Sequence, residues 1–147
     1  MKQANLHDIA EKMKGIDIAI LSTRTTGGEI ANRPMSNNGD VSYAGDSYFF
    51  TYEEARCVSD IKADAKVGLG YSREGGLLSG SGVYVAVEGR AELIRDRAAF
   101  QQHWTSDLDR WFEQGVETPN LVLIKVRAKR VTCWEGGEET EALLDAA

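Results

Sequence analysis

The stretch VYVAVEGRAELI, Val83 to Ile94, sets Val83, Val85, Val87, Ala91 and Leu93 on alternate positions, with Gly89 in the same series. Period-two alternation over twelve residues specifies a strand with one buried face, and a helix cannot satisfy it. A strand of that length needs neighbours on both edges, so the chain must supply more of them. It does: DIAILSTRT (Asp17 to Thr25), IANRPMS (Ile30 to Ser36), SYFFTY (Ser47 to Tyr52), KVGLGYS (Lys66 to Ser72) and NLVLIKVRAKRVTCW (Asn120 to Trp134) are β-branched or aromatic runs. Short turn signals separate several of them, among them GGE and NNGD.

Helical spacing is confined to three places. Asn5 to Met13 carries Leu6, Ile9, Ala10 and Met13 at amphipathic intervals. Thr51 and Glu54 have the spacing of a capping box, which predicts a helix from there to about Asp64. Asp96 predicts the cap of a helix with Phe100, Trp104, Leu108, Trp111 and Phe112 along one side, ended by GVETP. The acidic, Gly-rich segment from Glu135 reads as a fraying tail over 135–147. Six strands and three short helices joined by tight turns give an α+β protein. Its antiparallel sheet removes its edges best by closing into a small barrel, within one domain spanning 1–147.

The 147 residues suffice for one sizeable core. A net charge of -6 argues against general affinity for nucleic acid or anionic lipid, so a bound anion would need a local basic cluster. The opening MKQANLHDIAEKMKG is too charged for a signal peptide or anchor, and no apolar run has membrane-spanning length. Cys57 and Cys133 have no close-spaced partner and read as reduced thiols of a cytoplasmic protein. His7 and His103 belong to no metal-spaced cluster.

Chemistry-bearing patterns are sparse. The glycines of GLGYSREGG lack dinucleotide-fingerprint spacing, and no phosphate loop or catalytic triad is recognisable. In IANRPMS, Ala31, Arg33 and Met35 share one face, while Pro34 faces the other way. Proline cannot donate to a ladder and belongs at an edge, bulge or rim. Arg33, lodged among apolar neighbours, needs a partner: a surface carboxylate in the bland reading, a ligand phosphate in the functional one. The start of the helix after FFTYEE offers free N–H groups and a positive dipole end, with Arg56 alongside. A merely well-capped helix explains it equally.

Taken in order, NRPMS, SYFFTYEEARCVSDIKADAKVGLGYS, YVAVEGRAELIRDRAAF and RWFEQGVETPNLVLIKV resemble the flavin-mononucleotide split-barrel superfamily, which includes pyridoxamine 5'-phosphate oxidase, and most of all its bacterial general stress protein branch. The resemblance covers about Asp17 to Trp134. It implies a six-stranded antiparallel split β-barrel with short flanking helices, a homodimer, and FMN in clefts between subunits. It implies that the strand around Arg33, Pro34 and Met35 lies along the flavin ring and that Phe50 and Thr51 contact flavin and phosphate. Arg56 then grips the phosphate, Tyr84 approaches the flavin, and Trp111 covers the ring from the partner subunit. Ala55 and Cys57 stand where the family's phosphate grip has serine and lysine. The arginine–histidine pair that follows a tryptophan in true oxidases is absent, so vitamin B6 oxidation is not expected. The functional expectation is a redox flavoprotein with an unknown small-molecule partner and no assignable catalytic residue. Its alternatives are a non-enzymatic flavin-sensing protein and a dimeric barrel that has lost its ligand.

Overall fold

The structure, a computed structural model, describes residues 2–36, 42–78 and 80–144. The NNGD turn signal lies outside those residues. The chain runs β1 (Lys2–Gln3), α1 (Leu6–Met13), β2 (Ile18–Arg24), β3 (Ile30–Ser36), β4 (Asp46–Tyr52), α2 (Arg56–Ala63), β5 (Lys66–Arg73), β6 (Val83–Ile94), α3 (Arg97–His103), two 3-10 turns (Ser106–Arg110 and Gly115–Glu117), β7 (Leu121–Glu135) and β8 (Glu138–Leu143).

Strands β2 to β7 form the six-stranded antiparallel barrel, paired in the order β3-β2-β5-β6-β7-β4. β3 and β4, its two ends, are paired on one side only among the described residues. The barrel is therefore split along a seam between them. β7 makes this arrangement possible through its length. One edge follows β6, and the other is shared: Leu121–Arg127 pair with β4, and Arg130–Glu135 pair with β8.

Inward residues of the barrel strands make the main core, led by Leu21, Phe49, Leu69, Tyr71, Val87, Ile124 and Val131. α1 adds Ile9, Ala10 and Met13, its first turn capped by the Asn5 side chain accepting from His7 N–H at 2.8 Å. The alternation of β6 is kept through a register shift at Glu88/Gly89. There the backbones approach so closely that a Cβ on Gly89 would overlap the Arg127 carbonyl oxygen. The position requires glycine.

Three expectations from the sequence are corrected. The capping box does not form: Thr51 stays in β4 opposite Val122, the ladder with β7 holds the backbone through Tyr52, and α2 starts only at Arg56. The single aromatic helix after Asp96 breaks at Trp104, which turns extended. The Trp104 indole N–H donates to Asp109 at 2.9 Å, folding the segment back so that Phe100, Leu108 and Phe112 cover Phe50 in a second small core. The fraying tail is instead strand β8, started by Gly136 and Gly137 at positive φ, and β1 pairs with it in parallel. Among the described residues there are eight strands, of which six form the expected barrel and β1 and β8 are additional.

Candidate functional site

The seam of the barrel meets the start of α2. Alternation along β3 turns Ala31, Arg33 and Met35 inward and leaves Asn32 and Pro34 exposed. Pro34 sits on an edge strand, opposite Ile20 of β2. Arg33 is neither a surface ion pair nor free. Its guanidinium donates to Thr23 Oγ1 at 2.7 Å and to the Leu21 carbonyl at 3.2 Å, and lies 3.6 Å from Asp60 of α2. The Thr23 hydroxyl in turn donates to Asp60 at 2.8 Å. The Asp60 side chain is 4% exposed and that of Arg33 20%, so this charge pair is the bolt that fixes α2 to the seam.

α2 begins without a side-chain cap, because Ala55 has no hydroxyl to offer. Its first turn carries no acidic residue, and Arg56, its first residue, is exposed. The helix start therefore keeps its positive end open to an anion, with one guanidinium beside it. Two carboxylates stand just before the helix: Glu54 is exposed, and Glu53 is drawn aside. Arg95 bonds it with two nitrogens and Lys62 lies 3.5 Å away. The hydrogen bond from Arg95, before any other influence, holds the Glu53 carboxyl down at about 2. Cys57, next along the helix, is buried; burial pushes its thiol up, while nearby Arg33 pulls it the other way. It is not an activated nucleophile.

The other expected site residues are distributed as follows. Met35 is buried in the core opposite Ala19 of β2, and Thr51 is half-buried near the end of β4. Phe50 belongs to the second core, edge-on to Trp104 at 4.9 Å and to Phe100 at 5.8 Å. Tyr84, 49% exposed, stands on the outer face of β6, three strands from β3 and opposite Trp134 of β7. Trp111, 57% exposed, follows the first 3-10 turn with Arg110 stacked 5.3 Å from its ring. Arg33, Arg56 and the start of α2 thus share one end of the seam, while Tyr84 and Trp111 lie on other faces of the single chain. Asp60 and Thr23 escaped sequence reasoning, because nothing local marks residues so far apart as partners.

Among the described residues, no group of three or more His, Cys, Asp or Glu is arranged to hold a metal ion, and no helix is long and apolar enough to cross a membrane.

Comparison with known proteins agrees with this architecture. General stress protein 26 of Bacillus subtilis is 30% identical over 100 residues, 67% of this chain and 68% of that one. The crystal structure of General Stress Protein 26 from Bacillus anthracis superposes with a TM-score of 0.73 at 22% identity, over 96% of this chain and all of that one. A heme binding protein from Mycobacterium smegmatis shares the fold at a TM-score of 0.73 and 13% identity, over 97% of this chain and 59% of that one. The model of the family described as pyridoxamine 5'-phosphate oxidase like matches residues 4–147. Split barrel, seam-side helix and sequence together make this chain a member of the pyridoxamine 5'-phosphate oxidase-like family.

Proposed function

We propose that the chain is a homodimeric FMN-binding redox protein that holds the cofactor phosphate on the open start of α2. The observation that carries this reading is the uncapped helix end with Arg56 exposed beside it, on a helix tied to β3 by the Arg33–Asp60 pair. The residues present fit a phosphate there. Helix-end N–H groups and the Arg56 guanidinium would donate to it, with the Thr51 hydroxyl close by along the chain. Pro34 and Met35 would border the ring along the seam, with Phe50 behind. Bound FMN supplies hydride and single-electron transfer, here between a reduced nicotinamide and an unidentified acceptor. The protein's share is to orient the ring and to keep water from it; no side chain of the seam is placed as an acid or base.

The dimer is supported by the outer face of the sheet. Ile18, Ile20, Tyr84 and Trp134 are exposed there, with Pro34, Gly70 and Ala86 in register between them. Such an apolar surface favours a partner. In the dimer, Tyr84 and Trp111 would reach the flavin across the interface. Two buried cysteines without a disulfide support work in a reducing cytoplasm.

A second reading, flavin holding without turnover, is favoured by the thin phosphate grip. Arg33 is committed to Asp60, and neither Ala55 nor Cys57 adds a hydroxyl or a cation. The purified protein should be yellow or turn yellow with FMN. Nicotinamide oxidation with added acceptors separates turnover from holding. A protein that shows no flavin band and no quenching of FMN fluorescence at tens of micromolar would refute both.

A further inference from the structure

At the opposite end of β4 from α2 lies a cavity of about 140 Å³, bounded by α1, the end of β3 and the elbow that joins α3 to the first 3-10 turn. Of the residues assigned above to the flavin, only Phe50 lines it. Its volume resembles that of a cavity that accommodates one benzene-sized molecule, and it is too small for a tricyclic flavin.

The walls are aromatic and already ordered. His103 stacks on Tyr48 with ring centroids 3.7 Å apart, and Trp104 stands edge-on to Phe50. Two of the lining residues, Tyr43 and Thr105, bury hydroxyls that have no hydrogen-bond partner among the described residues. An unmet buried hydroxyl is costly, and two of them around one small cavity call for an occupant that meets them. The lining is also nearly neutral. Among the described residues Asp46 is its one carboxylate, offset by Lys125 at 3.8 Å, and burial together with Lys125 disfavours a charged His103. Among the described lining residues there is no lysine or arginine to hold an anion.

We propose that this cavity binds a neutral, single-ring aromatic molecule bearing a hydrogen-bond acceptor at its edge, such as a ring carboxamide or ketone. The ring lies among Tyr48, Phe50, His103 and Trp104, and the acceptor takes hydrogen bonds from Tyr43 and Thr105. The site does not depend on flavin at α2, since its polar contacts come from other elements.

Nicotinamide serves as the probe and nicotinate, its anionic counterpart of the same size, as the control. Binding is followed by Trp104 fluorescence, identified with Trp104→Phe, and by the NMR shifts of the Met13 and Leu108 methyl groups. Nicotinamide should bind saturably at roughly millimolar concentration, as expected for so small a ligand, and nicotinate at least tenfold more weakly. Tyr43→Phe and Thr105→Val should each weaken nicotinamide about three- to tenfold. Neither should lower the melting temperature, because each removes a costly hydroxyl without a partner. Equal binding of the two probes, shifts that do not saturate, or unchanged affinity in both variants would overturn the proposal. So would variants that melt several degrees lower, since that would show the hydroxyls serving buried water.

Discussion

Removing the Asp60 carboxylate should be among the most damaging single changes at the seam. In Asp60→Ala the Arg33 guanidinium loses the charge 3.6 Å away, and the Thr23 hydroxyl loses its acceptor. Breaking a buried pair by deleting one partner typically costs about 3–5 kcal/mol, because the other charge stays behind uncompensated. Arg33 is 20% exposed and keeps its bonds to Leu21 and Thr23, which places the expected cost near the lower end, about 3 kcal/mol. At roughly 2–4 °C per kcal/mol for a chain of this size, the midpoint should fall by about 6–12 °C. Replacing both partners with apolar residues, Arg33→Met with Asp60→Leu, removes the charges together and should recover most of the loss. Urea denaturation of the wild type, both single variants and the double variant gives the coupling directly, provided the slope of each transition is unchanged. If Asp60→Ala stays within about 1 kcal/mol of the wild type, or the two single losses simply add in the double variant, the pair does not fasten α2 as argued.

Gly89→Ala should destabilise by at least the roughly 1–3 kcal/mol of a core overpacking, since the new methyl would meet backbone at Arg127; thermal melts check it. Arg56→Ala should weaken FMN about ten- to a hundredfold and leave riboflavin, which lacks the phosphate, nearly unaffected, as read by flavin fluorescence. Ile20→Glu on the outer sheet face should convert dimer to monomer in sedimentation at micromolar concentration without lowering helix or strand content. Burial raises the Tyr71 phenol to about 12 and pushes Tyr43 higher still. Their neutral forms are favoured in the folded state. The stability they carry is therefore complete below pH 10 and is lost as pH rises from 10 through 12. Absorbance titration of the five tyrosines should show Tyr71 and Tyr43 ionising late, together with unfolding.

Where a segment's own pattern decided its structure, the sequence was a reliable guide. The period-two run at Val83–Ile94 and the stretch Ile30–Ser36 are strands with the bounds their patterns imply, and Asp96 caps α3 by accepting from Ala99 N–H. Local signals failed where a distant partner had the stronger claim. The ladder with β7 takes Thr51 away from its capping role, and the pull of Phe50 breaks the aromatic helix at Trp104. Strand β8 was concealed by its charge. Its glutamates face solvent or basic residues, as Glu141 does Arg130 at 3.6 Å, and only Ala142 is buried. The Gly136–Gly137 pair was nevertheless a hairpin signal. At the candidate site, alternation alone places Arg33 and Met35 inward and Pro34 outward. What it cannot convey is that Arg33 is already occupied by an aspartate 27 residues later.

The shared edge of β7 also dictates an order of events. β2 with β3, and β5 with β6, can zip as hairpins from neighbouring stretches of chain. β4 has no such option: its only strand partner among the described residues lies some 70 to 80 residues further along, in the first half of β7. During synthesis or refolding, Tyr48, Phe49 and Phe50 therefore wait as an unpaired, aromatic, β-prone segment until β7 arrives. Loop closure across that span must precede any reward from the β4 ladder, which makes sealing the barrel a late and slow step. A chaperone that shields an extended aromatic segment would find its substrate here, in the interval before β7 docks.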